Sequence, residues 1–529
     1  MQADQEPMLV RDILRHAAKR YPEKTALIDG DVRLTYGEAN ERIHRLASGL
    51  LSLGLSPGDH IAILANNSHR YWETYFVADI AGMPLAPLNT RLAAHELAFI
   101  LRDAEVKALL IGPEFLELYD QFKTDIPDIQ HTILLGGELA EDLLDYEALI
   151  ANNEPLRESA REWNEDDMIN LCYTGGTTGI PKGVMLTQRN IVSHANNSVL
   201  TIGFTERDVW MHAAPMFHLA DAWACYAVTV TGGTHVFVDR FTPEGVLEAI
   251  QEHRVTKTVL VPTMINFLVN FPGVADYDTT SLDHLFFGAA PMSTDRIKAG
   301  VEIFGPVLFQ AYGMTEASPL LTVMRPDWVS YDGSPQDTAR LASCGRAIEG
   351  VTVRVVDEKT GEDVRPGQVG EVIAKGPNVM AGYWKREEET ASALRGGYMH
   401  TGDLATVDED GFIFIVDRAK DMIVTGGENV YSAEVENALY EHAGVLEAAV
   451  IGVPNEPWGE AVQAIIVPKD GAKLSEDDII AHCRKLIAGY KVPKRVIFQS
   501  DPLPKSGPGK ILKTELRKPY WAGKEKGVN

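Results

Sequence analysis

Cysteine is scarce: Cys172, Cys225, Cys344 and Cys483 are the only four in 529 residues, and no two are spaced as a CxxC pair. That excludes a disulfide framework and a cysteine-built zinc site, and it fits a reducing compartment. Basic charge is also short. The 49 Lys and Arg against 75 Asp and Glu leave a formal net charge of −26. Binding a polyanion needs a basic surface, so nucleic acid is excluded as a general partner. No stretch approaches the ~18 apolar residues of a membrane span, so no integral membrane segment is expected. The opening MQADQEPMLVRDIL carries acids where a signal peptide has an apolar run. A cytoplasmic protein is the expectation these absences leave.

What is present is enough for a core: 45% hydrophobic and 8% aromatic residues. At roughly 100–200 residues per domain, the chain holds several structural units. Short apolar runs at 60–65 and 108–111 alternate with helical spacing at 36–53 and 93–103. The pattern continues through 168–173, 184–186, 257–261 and 284–287, the signature of α/β sheets covered by helices. After residue 343 the texture changes to strand-like segments at 351–357, 370–375 and 411–417, separated by Gly, Asp and Pro turns. A charged run at 418–421 then precedes helices at 432–442 and 476–487 and strands at 448–453 and 461–467. The predicted fold class is α/β: a large N-terminal domain, 1–418, of α/β sheets with a β-rich subdomain at 343–418, and a small α+β C-terminal domain, 419–529. Gly54-Leu55-Ser56-Pro57-Gly58 fits the GxSxG esterase pattern but runs from a helix into a strand, the wrong order for an exposed nucleophile.

The segment with most chemistry is Tyr173-Thr174-Gly175-Gly176-Thr177-Thr178-Gly179-Ile180-Pro181-Lys182-Gly183. Glycines let backbone N–H groups approach an anion, and the threonine hydroxyls add donors and metal ligands. Lys182 adds a point charge, but it follows proline and no GK[ST] occurs, so this is not a Walker A loop. A lone Gly/Thr turn is usually only a turn. This long order, leaving an apolar strand, is far more specific.

It resembles the phosphate loop of the adenylate-forming superfamily of acyl-CoA synthetases, firefly luciferases and peptide-synthetase adenylation domains. Gly175 departs from the serine or threonine many members carry there. The resemblance extends along nearly the whole chain, because later motifs follow in family order. Gly288-Ala289-Ala290-Pro291 resembles the nucleotide and acyl-pocket wall, and Gln310-Ala311-Tyr312-Gly313-Met314-Thr315-Glu316 the adenine and metal motif. The implied roles are stacking by Tyr312, α-phosphate binding by Thr315, and Mg²⁺ coordination by Glu316 with Thr174. Asp403 and Arg418 resemble the ribose-binding pair. His218, in a Pro-x-Phe-His frame, resembles the histidine beside the acyl carboxylate and thiol entrance, whereas a lone histidine would read as core.

The basic tail resembles the family's C-terminal loop, placing Lys510 where charge develops on the α-phosphate; Lys505, Lys513 and Arg517 read as solvated charges. Gly426, Gly427 and Glu428 resemble the loop lining the pantetheine tunnel, and Arg240 the cation for coenzyme A phosphate. Lys420 matches the hinge, which implies a mobile small domain. Acyl-pocket walls are expected from Trp223, Cys225, Phe286, Phe287, Gly288 and Ala311. The resemblance thus implies an ATP-, Mg²⁺- and coenzyme A-dependent ligase of an apolar carboxylic acid, fatty or aryl. The alternatives are an adenylation enzyme loading a carrier protein and a non-catalytic nucleotide-binding regulator. The sequence leaves a homodimer open.

Overall fold

The computed structural model describes residues 8–521 apart from 141, 175–180, 290, 291, 293, 332–334, 419, 420, 426, 427 and 506–510, and leaves out the side chains of 335–337. Two large sheets face each other across buried helices. Among the described residues, nine strands form the first, in the order Arg346–Ala347, Leu320–Met324, Leu308–Gly313, His284–Phe287, Lys257–Val259, Val209–His212, Thr234–Phe237, Thr25–Asp29, Val32–Thr35. Its centre, from His284–Phe287 to Thr234–Phe237, is parallel. The second sheet, of eight strands, runs Gly382–Tyr383, Lys182–Thr187, Met168–Thr174, Leu85–Pro87, His60–Leu64, Val106–Ile111, His131–Leu134, Leu144–Asp145.

The helices between the sheets are buried nearly all round. In His69–Ala81 and Leu219–Thr231 almost every side chain is buried, as expected for an element covered on both faces. One continuous core joins Ile61 and Ile63 of the second sheet, Trp72, Tyr75, Ala224 and Val228 of those helices, and Trp210, Phe286 and Phe309 of the first sheet. Separate clusters fill the outer faces: Met211, Leu285 and Phe287 behind the first sheet, and Ala62, Leu64 and Leu109 behind the second.

The strand and helix expectations fall close to these elements, with instructive differences. The segments 168–173 and 184–186 are not joined through a helix; Met168–Thr174 and Lys182–Thr187 pair antiparallel, so the Gly/Thr-rich segment joins two strands. The strand read at 257–261 stops at Val259, because Val261 caps the helix Pro262–Val269, whose first position holds proline. Ser56 is exposed in the turn between the helix Tyr36–Ser52 and the strand His60–Leu64, which removes the esterase reading.

Of the β-rich stretch, Arg346–Ala347 joins the first large sheet, and Thr352–Val356, Gly370–Lys375, Met399–Val407 and Ile413–Arg418 form an antiparallel sheet of their own. After Arg418, among the described residues, five strands, Ile423–Thr425, Glu428–Val430, Val445–Asn455, Gly459–Pro468 and Arg495–Phe498, build a separate sheet, covered by Ser432–Tyr440 and Glu476–Leu486. This is the mixed α/β architecture expected, a large N-terminal sheet body with a smaller α+β body. Three tail cations expected to be solvated are paired instead. Lys505 meets Glu447, Lys513 meets Glu436 at 2.7 Å, and Arg517 meets Asp421 at 2.9 Å. Partly buried acids recruit them.

Candidate active site

Register brings the phosphate-loop ends together: Thr174 lies opposite Lys182 across the hairpin. Gly175, Gly176, Thr177, Thr178 and Gly179, between them, lie outside the described residues. The strand Gly382–Tyr383 pairs beside Val184 and Met185. Tyr383 therefore stands next to the lysine, whose Nζ sits 5.2 Å from the ring centroid, a cation–π contact. The Tyr383 hydroxyl donates to Glu316 Oε1 at 2.8 Å. One tyrosine thus links Lys182, the candidate phosphate-binding cation, with Glu316, the candidate metal-binding carboxylate. Nothing in the sequence marks Tyr383, the first of two adjacent aromatics, Tyr383-Trp384, after a glycine in a turn-rich stretch.

Glu316 lies in a short 3₁₀ turn, Thr315–Ala317, with Thr315 and Glu316 both 8% exposed. Burial raises the Glu316 carboxyl from its ordinary range, against the pull of Tyr383 and Arg418. The turn is held by Asn378, whose amide donates to the carbonyls of Ala317 (2.8 Å) and Leu320 (3.2 Å), and by Ser318, whose hydroxyl donates to the Asn378 carbonyl. His194 accepts from Leu320 N–H at 3.2 Å. Sequence reading missed Asn378 and His194, since an Asn after Gly-Pro and a His in a helix rich in Asn and Ser carry no spacing signal.

Close backbone approach explains two glycines. A Cβ on Gly288 would stand 2.4 Å from the Ala311 carbonyl oxygen, and one on Gly313 only 1.9 Å from that of Pro319. Ala289 follows Gly288 with φ +63°, a left-handed conformation that turns the chain out of the strand; Ala290 and Pro291 lie outside the described residues. The strand Leu308–Gly313 carries Gln310 opposite Phe287, and the Gln310 Oε1 is buried with no hydrogen-bond partner among the described residues. Met314 follows, its N–H held by the Pro319 carbonyl at 2.9 Å.

Asp403 and Arg418 are opposite residues of neighbouring strands, joined Nε to Oδ1 at 3.1 Å. Tyr312 donates its hydroxyl to Asp403 Oδ2 at 2.8 Å. The adenine and ribose candidates are thus one connected unit, and a carboxylate's remaining lone pairs suffice for two ribose hydroxyls. Glu371 supports that turn by accepting from Gly402 N–H (3.1 Å), beside its contact to His400 Nδ1 (2.7 Å).

His218 caps the helix Leu219–Thr231: its Nδ1 accepts from Ala220 N–H at 3.0 Å. With Nδ1 occupied as acceptor, the neutral ring carries its proton on Nε2. Burial lowers the imidazole to about 4, so it is neutral at physiological pH. The loop before it is pinned by Asn67, which donates to the carbonyls of His212 (3.1 Å) and Ala214 (2.9 Å) and accepts from Met216 N–H (2.8 Å).

Trp223 faces Phe286, Trp210, Phe204 and His194 edge-on, and Phe286 packs on Phe309 at 5.1 Å. Two expected pocket walls do not belong. Phe287 points to the opposite sheet face, because successive strand residues alternate, and Cys225 is sealed among Tyr71, Tyr75 and Cys172. Arg240 is exposed beyond the strand Thr234–Phe237, and Glu428 is exposed on Glu428–Val430. Gly426, Gly427, Lys420 and Lys510 lie outside the described residues.

No group of three or more His, Cys, Asp or Glu able to hold a metal occurs among the described residues. The donor set still fits Mg²⁺, which is commonly bound by one or two carboxylates plus substrate phosphates rather than by an all-protein cage. No helix is long and apolar enough to cross a membrane among the described residues.

Residues 14–384 match the model of AMP-binding enzymes, and 434–510 that of the AMP-binding enzyme C-terminal domain. A feruloyl-CoA synthase of an Amycolatopsis species is 40% identical over 504 residues, 95% of this chain and 97% of that protein. The medium/long-chain-fatty-acid–CoA ligase FadD8 of Mycobacterium tuberculosis is 34% identical, over 98% of this chain and 91% of its own. The crystal structure of ATP-bound MatB from Rhodopseudomonas palustris superposes with a TM-score of 0.86 at 30% identity, covering 98% of this chain and all of that one.

Proposed function

The chain belongs to the AMP-binding enzyme family and is an acyl- or aryl-CoA ligase; from that premise we propose that its substrate is a compact apolar acid, of aryl or medium-chain type, activated as its acyl-adenylate. The supporting observation is the register of two strands. Gly288 abuts Ala311, and two residues inward on the same face Phe286 opposes Phe309. At ~3.3 Å per residue, those rings stand about 7 Å below the Gly288–Ala311 contact. Both are nearly inaccessible, and Trp223 and Trp210 back them. A rigid aromatic floor accepts a ring or a short chain and leaves little depth for a long one. The feruloyl-CoA synthase relative is consistent with this.

In the first half-reaction a carboxylate oxygen of the acid attacks the α-phosphorus of ATP, and the bond to pyrophosphate breaks. Thr174, the loop 175–179, Lys182 and Thr315 bind the phosphates; Tyr312, Asp403 and Arg418 bind the nucleoside, with Gln310 Oε1 as a further acceptor. Glu316 and Thr174 would hold Mg²⁺, which when bound neutralises phosphate charge. Lys510 stabilises the charge that develops as pyrophosphate leaves. His218 presents Nε2–H as a donor that orients the acid's carboxylate. In the second half-reaction the coenzyme A thiolate attacks the acyl carbon and AMP leaves. Gly426, Gly427 and Glu428 line its approach and Arg240 meets its phosphates.

The test is a panel of benzoic, ferulic, octanoic and palmitic acids assayed for AMP and CoA-thioester formation. This reading expects kcat/KM to be highest with ferulic, benzoic or octanoic acid and lowest with palmitic acid. Palmitic acid as the best substrate would overturn it.

A further inference from the structure

Behind His218 the interior holds a chain of polar side chains that the reaction does not use. His212, Asp221, Thr229 and His235 are each 0% exposed. His212 Nδ1 lies 2.6 Å from Asp221 Oδ2, His212 Nε2 lies 3.0 Å from His235 Nδ1, and His235 Nε2 lies 3.1 Å from Thr229 Oγ1. Trp210 Nε1–H donates to Asp221 Oδ1 at 3.3 Å. The Thr229 hydroxyl stands 2.6 Å from the Cys225 carbonyl. The series ties the strands Val209–His212 and Thr234–Phe237 to both ends of the helix Leu219–Thr231.

Proton directions follow from the short contacts. Two oxygens at 2.6 Å require a proton between them, so Thr229 donates to Cys225 and accepts from His235 Nε2–H. Burial keeps His235 neutral, which leaves its Nδ1 bare to accept from His212 Nε2–H. The contact between His212 Nδ1 and Asp221 then needs one more proton, or two sets of lone pairs would face each other. Running every bond the other way leaves Thr229 and Cys225 unbridged and a net negative charge sealed in the core, which is costly.

We propose that His212 and Asp221 share this buried proton as a net-neutral pair, and that the pair is the positioning device for His218. Asp221 sits in the first helical turn, and its N–H bonds to the His218 carbonyl at 3.1 Å. Fixing Asp221 therefore fixes the cap residue and the direction of its Nε2–H. The proposal rests on the reading of His218 as a donor to the acid.

Two experiments test it. Two-bond ¹H–¹⁵N correlation of ¹⁵N-histidine-labelled protein reads the tautomers directly. The expected result is a proton on Nε2 of both His212 and His235; a His235 protonated on Nδ1 with a bare His212 Nε2 overturns the shared proton. For positioning, Asp221→Asn can still accept from Trp210 and donate to His212 Nδ1, whereas Asp221→Leu cannot. Asp221→Asn is expected to keep KM for ferulic and octanoic acids within about twofold, and Asp221→Leu to raise it by about tenfold or more with KM for ATP unchanged. Equal damage in both variants, or an unchanged acid KM in a folded Asp221→Leu protein, overturns the positioning role. If Asp221→Leu does not fold, a damaged Asp221→Asn still counts against it and an intact one for it. His218→Ala with unchanged acid KM would instead sink the donor reading of His218 and leave the tautomers standing.

Discussion

A single hydroxyl probes the phosphate end of the site. Tyr383 donates to Glu316 and offers its ring to Lys182. A hydrogen bond to a charged group is worth about 1.5–3 kcal/mol, so Tyr383→Phe should raise KM for MgATP by about tenfold and shift the Mg²⁺ titration of ATP binding to higher concentration. Calorimetric ATP binding across a Mg²⁺ series, unchanged from wild type, would count against the link. Buried histidines carry a second prediction. Burial lowers His194 to about 3 and both His218 and His284 to about 4. The unfolded chain takes up these protons near pH ~6.5 and the folded chain only further down. Their contribution is therefore fully present above that value and is lost as pH falls towards 4. Unfolding free energy should fall between about pH 7 and pH 5, by up to ~1.4 kcal/mol per histidine per pH unit, and melting temperature should fall with it. A flat profile would contradict their buried neutral state.

Elements were legible where period and punctuation agreed. The run at 284–287 became the strand His284–Phe287, and 370–375 became Gly370–Lys375, because apolar runs bounded by Gly and Asp leave little choice. Pocket composition was less legible. Phe286 and Phe287 look equivalent in sequence, yet strand alternation sends them into different cores. Motif residues such as Asp403 and Arg418 came with their order along the chain, but Tyr383, Asn378 and Asn67 act through folded contacts that no local pattern announces. Strand register also yields a prediction. Ala311 stands over Gly288 at the mouth of the aromatic floor, so Ala311→Gly should shift preference modestly towards bulkier acids, within the ~1–3 kcal/mol that a methylene-sized volume commands. An unchanged profile across substituted benzoic acids would place Ala311 away from the substrate.

At the scale of the molecule, the proposed mechanism has one site first present Lys510 to the phosphates and then admit pantetheine past 426–429. We propose that the small body turns about Lys420 between these steps. The supporting features are the short span from Arg418, the last residue of one sheet, to Ile423, the first of the next, and the clamp of Arg517 on Asp421 just beyond it. Asp417, before the joint, accepts from the Ser432 hydroxyl at 2.7 Å, a contact that a rotation would have to break. Proline fixes φ near −65° and removes an N–H, so Lys420→Pro should stop CoA-thioester formation while pyrophosphate release stays within about tenfold. Normal rates for both would place the joint elsewhere.

The central claim is an acyl-adenylate formed before coenzyme A enters. ATP–pyrophosphate exchange measures that step alone. With coenzyme A absent, labelled pyrophosphate should enter ATP only when an accepted acid is present, and Lys510→Ala should abolish the exchange. An acid that yields CoA thioester yet supports no exchange, or a reaction that releases ADP in place of AMP, would contradict the account.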